Sequence, residues 1–275
     1  MLALLGFRIA DEIVRHLPLS GSRRLARGLA RLAFALRVPA RRRLEDNWRR
    51  LIPSAGAGEV THLARDAFEH FALSVVDFLR LSRLEPASVA REVEVRGAQH
   101  LEAARNSGRG VILLSAHMGN WEWGAAFLSA LGEHIRVAAR EQSGRALEAW
   151  FERRRERHGV SRLEGRPLWL SAARALRRRE WVALMGDRDA ALPGGVRSES
   201  VSVCAWSAAL ARRTGAVILP AVILHRPEGG YAACFEAPIT PRECASGGYR
   251  AVVRRALDRH PGQWLGFEPI PDGLA

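Results

Sequence analysis

The sequence contains no lysine: all 42 of its basic residues are arginine, set against 29 aspartates and glutamates for a net charge of +13. The absence says more about genome composition than about mechanism. Even so, arginine grips phosphates and carboxylates through a planar fork, so the surface calls for anionic partners. Cysteine is scarce. Cys204, Cys234 and Cys244 have neither CxxC nor CxxH spacing, which argues against a disulfide scaffold and a zinc site and fits a reducing compartment. No run reaches the roughly 18 uninterrupted apolar residues of a membrane-spanning helix. Met1 to Gly6 is apolar, but Arg8, Asp11, Glu12 and Arg15 follow too soon for a signal-peptide core. Internal repeats and low-complexity segments are also missing. What remains is a 275-residue chain with ample apolar content for one large α/β domain or two small ones.

The chain is organised around Val111-Ile112-Leu113-Leu114-Ser115-Ala116-His117-Met118-Gly119-Asn120-Trp121-Glu122-Trp123. Four consecutive large aliphatics predict a strand buried on both faces, since a half-exposed strand would alternate. Gly119-Asn120 predicts a tight turn and a helix N-cap, with a helix from Trp121 to Leu131. His117 then stands at the carboxyl end of a buried strand, the edge of an open α/β sheet where ligands bind. On one continuous helix, His117 and Glu122 would point about 140° apart. A strand–turn–helix break lets them converge, with the Glu122 carboxylate accepting from one imidazole nitrogen while the other faces a substrate, an arrangement suited to a general base. The same residues also admit a plain reading: a histidine satisfied by a backbone carbonyl, and a glutamate favoured by the helix dipole.

Residues 1–52 read as basic amphipathic helices. Leu2, Leu5, Ile9, Ile13 and Leu17 recur at helical spacing; Leu25, Leu29, Leu32 and Leu36 do so again, with Arg23, Arg24, Arg27 and Arg31 around them. Two such helices in succession predict association with a membrane surface, the alternative being helices packed on a core. Residues 53–275 form the second unit, beginning with a helix over Glu59 to Leu81. Strands are predicted at Val93–Gly97, at the central run, at His134–Arg140, at Trp181–Met185, at Ala216–Leu224 and at Tyr231–Glu236, the last folding back across Pro227–Gly230. Helices alternate with them over Ala146–His158, Leu168–Arg178, Val201–Ala211 and Tyr249–Arg259. This pattern predicts an α/β fold with a mostly parallel central sheet flanked by helices, led by a helical basic N-terminal segment.

Ser115-Ala116-His117-Met118-Gly119-Asn120-Trp121-Glu122 resembles the H-x4-(D/E) motif of the lysophospholipid acyltransferase superfamily, and within it the lipid A biosynthesis (lauroyl/myristoyl) acyltransferases. Arg41-Arg42-Arg43 through Asn47 and Pro53 resembles that branch's N-terminal Arg…Asn-Leu…Pro segment. Arg140 stands where the branch has an arginine after the next strand, and Asp187-Arg188-Asp189 resembles its D-Q-D segment. Thr214-Gly215-Ala216 with Pro220, and Pro261-Gly262-Gln263-Trp264, resemble its T-G-A…P and terminal P-x-Q-W stretches. The ordered set covers roughly residues 38–265. Departures are Arg188 in the middle of the acidic segment, and Leu265-Gly266-Phe267-Glu268 where the branch continues with tryptophan and basic residues.

The resemblance implies acyl transfer. His117 takes the proton of an acceptor hydroxyl as its oxygen attacks a thioester, and Glu122 holds the imidazole tautomer. Asn120, Arg140, Asp187, Arg188 and Asp189 are the substrate-binding candidates, the arginines for acceptor phosphates unless they pair with the aspartates. Val201, Val203, Ala205, Trp206, Ala208, Ala209 and Leu210 either line an acyl groove or fill core. No cofactor or metal is expected; acyl carrier protein or acyl-CoA supplies the acyl group, and a phospholipid or glycolipid accepts it. The expected acceptor is a lipid A precursor, the alternative a mannosylated phosphatidylinositol, and the expected place is the cytoplasmic face of the inner membrane as a peripheral protein. Competing readings are a nucleic-acid-binding protein, suggested by arginine content alone and lacking any recognised binding motif, a metal-dependent hydrolase using His117, Asp187 and Asp189, and a non-catalytic relative.

Overall fold

The structure, a computed structural model, describes residues 2–138, 144–165, 167–187, 203–268 and 270. Four helices lead: α1 (Leu2–His16), α2 (Leu19–Ala35), α3 (Pro39–Leu51) and α4 (Ala57–Leu81). After α5 (Pro86–Arg91) and β1 (Val93–Arg96) come α6 (Ala98–Arg105), β2 (Val111–Ser115), α7 (Trp121–Ala130) and β3 (Ile135–Val137). The alternation continues through α8 (Arg145–Glu156), β4 (Val160–Arg162), α9 (Leu168–Arg177) and β5 (Trp181–Met185). Then α10 (Val203–Thr214) precedes β6 (Val217–His225), β7 (Tyr231–Phe235), α11 (Pro241–Ala245) and α12 (Gly248–Arg259).

The strands form one sheet in the order β1-β7-β6-β2-β5-β3-β4. Every pairing is parallel except β6 with β7, the hairpin that Pro227–Gly230 signals. The α/β fold with a mostly parallel sheet flanked by helices is therefore as the sequence predicts. β4 was not predicted: Val160-Ser161-Arg162 is too short and too polar to carry a strand pattern, and its place at the sheet edge asks for none.

β2 lies between β5 and β6, and all five of its residues are buried. Side chains alternate across a strand, so the run serves two cores. Ile112 and Leu114 join Val182, Leu184 and Ile218 beneath α9, α10 and α12. Val111 and Leu113 join Val217, Leu219 and the residues of α5, α6 and α7 on the other face. The parallel registers Val111↔Trp181 and Val111↔Val217 level the carboxyl ends of β2, β5 and β6. His117, Asp187 and His225 are thereby set along one edge.

The N-terminal helices divide in their duties. Leu44, Trp48 and Leu51 of α3, with Ala30 and Phe34 of α2, are buried in the same core as Ile112 and Leu114. The Asn47 amide of α3 donates to the carbonyls of Gly266 and Glu268, both at 2.7 Å, which ties this helix to the chain's C-terminal segment. Elsewhere the apolar stripes face outward: Leu5 and Ile9 of α1 are more than half exposed, and Leu25, Leu29 and Leu32 of α2, with Leu36 just after it, are 42–69% exposed. Among the described residues no helix is long and apolar enough to cross a membrane.

Candidate active site

Beyond Ser115 the chain leaves β2 and turns through Ala116-His117-Met118-Gly119 into α7. Gly119 has φ +55°, and a Cβ there would stand 1.9 Å from the carbonyl oxygen of Ile223, so this turn passes β6 only as glycine. Asn120 caps α7 by accepting from the Trp123 N–H at 3.2 Å. The C-terminal segment straps the turn from outside. The Gly119 N–H donates to the Gln263 carbonyl at 3.0 Å, and the Leu265 N–H donates to the His117 carbonyl at 2.8 Å.

The imidazole of His117 is oriented by Asp187, not by Glu122. Nδ1 lies 2.8 Å from Asp187 Oδ1, and the second carboxylate oxygen accepts from the Trp264 indole N–H at 3.0 Å. Asp187 is fully buried at the end of β5, whereas the His117 side chain keeps 18% exposure. With an ionised Asp187, Nδ1 carries the proton and Nε2 is left as the basic nitrogen.

Glu122, expected to hold the imidazole, pairs with Arg155 of α8 instead: Nε donates at 2.8 Å and Nη2 at 2.5 Å. The reason is helical geometry. Trp121 opens α7 and turns its ring edge-on to His117, centroids 5.0 Å apart. Glu122, about 100° further round the helix, is swung away towards α8. Burial weighs against the Arg155 charge, yet Glu122, with Glu152 and Glu148, leaves its pKa raised.

Asn120, expected to bind substrate, is buried to 1% exposure; its amide donates to the Tyr231 hydroxyl at 3.1 Å and its oxygen caps α7, so both ends of the side chain have partners in the interior. Arg140, Arg188 and Asp189 lie outside the described residues, as does Val201. Of the other groove candidates, Val203, Ala208 and Leu210 are buried core, and Trp206 packs against them.

The pattern Pro261-Gly262-Gln263-Trp264 implies no task on its own. Trp264 holds Asp187. The Gln263 side chain caps the end of β6, accepting from the His225 N–H at 2.7 Å and donating to the His225 carbonyl at 2.9 Å. Ser74 of α4 donates to the Gly119 carbonyl at 2.9 Å and meets His225 Nε2 at 3.1 Å. Nothing in the pattern of α4 distinguishes Ser74 from a small core residue.

His225 makes the region sensitive to acid. Burial, with His70, Arg23 and Arg27 nearby, lowers its pKa to about 3. The unfolded chain would bind the same proton at about pH 6.5. Stability is therefore fully present above that pH and declines as pH falls towards about 3, at up to about 1.4 kcal/mol per unit. The urea midpoint is expected to drop between pH 7 and pH 5, and His225→Gln to drop less. Identical pH dependence in the two proteins would contradict this account.

The chain matches the bacterial lipid A biosynthesis acyltransferase family over residues 5–265. It is also similar to two proteins named phosphatidylinositol mannoside acyltransferase. That of Mycobacterium tuberculosis is 27% identical over 209 residues, covering 70% of this chain and 65% of the relative, just under two thirds of its length. That of Mycolicibacterium smegmatis is 25% identical over 282 residues, covering 96% of this chain and 90% of the relative.

Proposed function

Because the chain belongs to the bacterial lipid A biosynthesis acyltransferase family, we propose that it transfers a fatty acyl group from an acyl thioester to a hydroxyl of a glycolipid. The observation that carries this reading is the partly exposed His117 imidazole, held through Nδ1 by a carboxylate that is itself buried and clamped by Trp264. Nε2 takes the acceptor hydroxyl's proton as that oxygen forms a bond to the thioester carbonyl carbon. When the tetrahedral intermediate collapses, the carbon–sulfur bond breaks and the imidazolium returns the proton to the departing thiolate, releasing ester and thiol. Asp187 stabilises the imidazolium in between, the part a buried aspartate plays in a serine–histidine–aspartate triad. The acceptor hydroxyl takes the place of the serine, so no covalent acyl-enzyme forms.

The names of the two relatives favour a mannosylated phosphatidylinositol as acceptor over a lipid A precursor. The outward leucines of α2, flanked by the exposed Arg24, Arg27 and Arg31, suit peripheral attachment to an anionic lipid surface. The direct test incubates the purified protein with palmitoyl-CoA or acyl carrier protein thioester and with each acceptor, and reads the products by mass spectrometry. One added acyl group on the phosphatidylinositol mannoside is expected. Acylation of the lipid A precursor alone would reverse the acceptor assignment, and no transfer from either donor to either acceptor would remove the proposal. Leu29→Asp with Leu32→Asp is expected to weaken sedimentation with anionic vesicles at least tenfold, and unchanged sedimentation would move the lipid contact elsewhere.

A further inference from the structure

A buried polar chain runs from α2 to the turn that carries His117. Arg23 of α2 donates through Nη2 to both oxygens of Asp77, at 2.9 and 3.0 Å. Asp77, on α4, is fully buried, with Arg80 also 3.7 Å from its carboxylate. The Tyr231 hydroxyl of β7 donates to Asp77 Oδ2, an oxygen it shares with Arg23. Asn120 donates to that same hydroxyl at 3.1 Å and caps α7 with its remaining oxygen. One helical turn before Asp77 on the same helix, Ser74 holds the Gly119 carbonyl. The residues immediately after His117 are thus held by Ser74 of α4 and Tyr231 of β7, and Tyr231 is held in turn by Asp77, the carboxylate that Arg23 of α2 grips.

The position of Arg23 on α2 gives this chain a direction. At about 100° per residue, Leu25, Leu29, Leu32 and Leu36 fall within a sector centred roughly opposite Arg23. Ala30 and Phe34 share the Arg23 side and are buried. One helix therefore presents an apolar stripe to its surroundings and, from its other side, a guanidinium to Asp77, two hydrogen bonds from the His117 turn through Tyr231 and Asn120. The link is made at a cost. Burial pushes the Asp77 carboxyl pKa up, against the pull of Arg23, and an apolar residue would fill the site without that cost.

Resting on the reading of His117 as general base, we propose that Asp77 and Tyr231 are positioning residues for the His117–Asn120 turn, and that through Arg23 they make its catalytic geometry depend on the seating of α2 against a lipid surface. A shift or rotation of α2 moves the Asp77 carboxylate, and with it the Tyr231–Asn120 pair that sets the start of α7.

The experiment compares turnover on acceptor embedded in anionic vesicles with turnover on acceptor dispersed in detergent. The wild-type protein is expected to run at least tenfold faster on vesicles. Tyr231→Phe, which removes a single hydroxyl, is expected to lower kcat on vesicles about tenfold with KM for the acyl thioester within twofold. Arg23→Gln is expected to bring the vesicle-to-detergent ratio close to one while sedimenting with vesicles as the wild type does. Asp77→Asn should reproduce both effects; where it fails to fold, the other two variants decide. An Arg23→Gln protein that keeps the wild-type ratio, or a Tyr231→Phe protein with wild-type kcat, overturns the proposal. His117→Ala separates the two levels: if it retains activity, the functional reading falls, and if it is inactive while the relay variants behave as wild type, only the relay falls.

Discussion

His117→Ala is expected to lower kcat for acyl transfer by about 10³-fold, within the range a positioned general base supplies. Asp187→Asn should cost about as much while leaving the shape of the site intact. An asparagine can offer its amide N–H to Nδ1, which moves the imidazole proton to Nε2 and removes the base that faces the acceptor. Trp264→Phe deletes the second clamp on Asp187 along with part of a buried ring packed on Trp48, so a loss of about tenfold is expected from the weaker hold, with some loss of stability. In all three the KM for the acyl thioester should stay near the wild-type value, because none of these groups is assigned to binding the acyl chain. Circular dichroism and a melting curve confirm that each variant is folded before rates are compared. An Asp187→Asn protein within twofold of wild-type kcat would show that the buried carboxylate does not govern the imidazole, and the assignment of Nε2 as base would go with it.

How much of this was legible beforehand depends on the range over which each signal acts. The buried strand at Val111–Ser115, the turn at Gly119-Asn120 and the helix after it are local, and hydrophobic runs, glycine and a capping side chain announce them. The placing of His117 at a strand's carboxyl end follows from those alone. The choice of its partner does not. Glu122 is five residues away and Asp187 is seventy, yet the registers of β2 and β5 bring the distant carboxylate to Nδ1 while helical rotation takes the near one to Arg155. Periodicity located the leucines of α2 on one face but could not say whether that face turns inward, because the burial of Ala30 and Phe34 on the opposite side depends on α4. Ser74, Asp77 and Tyr231 sit in helical and strand patterns that any small or aromatic residue would satisfy. Only the fold reveals that their polar atoms converge.

The Glu122–Arg155 pair gives the sharpest contrast with the reading from sequence. Glu122→Gln removes the hydrogen-bonded carboxylate from a guanidinium whose side chain is only 19% exposed, with Glu122 itself at 15%, and leaves it only the more distant Glu148 and Glu152. Breaking a buried pair from one side costs about 3–5 kcal/mol, and the remaining solvent contact places this one near the lower end, about 3 kcal/mol. For a chain of this size that corresponds to a fall in Tm of roughly 6–12 °C. Arg155→Met should be destabilising as well, and Glu122→Gln with Arg155→Met less so than the sum of the single changes, since neither side then leaves an unanswered charge. Below its melting transition, Glu122→Gln should keep kcat within about tenfold of wild type, against about 10³-fold for Asp187→Asn. The two substitutions are chemically the same, a carboxylate made an amide, so any difference in outcome comes from where the fold places the group. A Glu122→Gln protein that melts like the wild type but has lost its turnover would reverse the assignment and return the near carboxylate to the chemistry. Loss of stability with turnover largely kept would instead make Glu122 the anchor of α7 against α8.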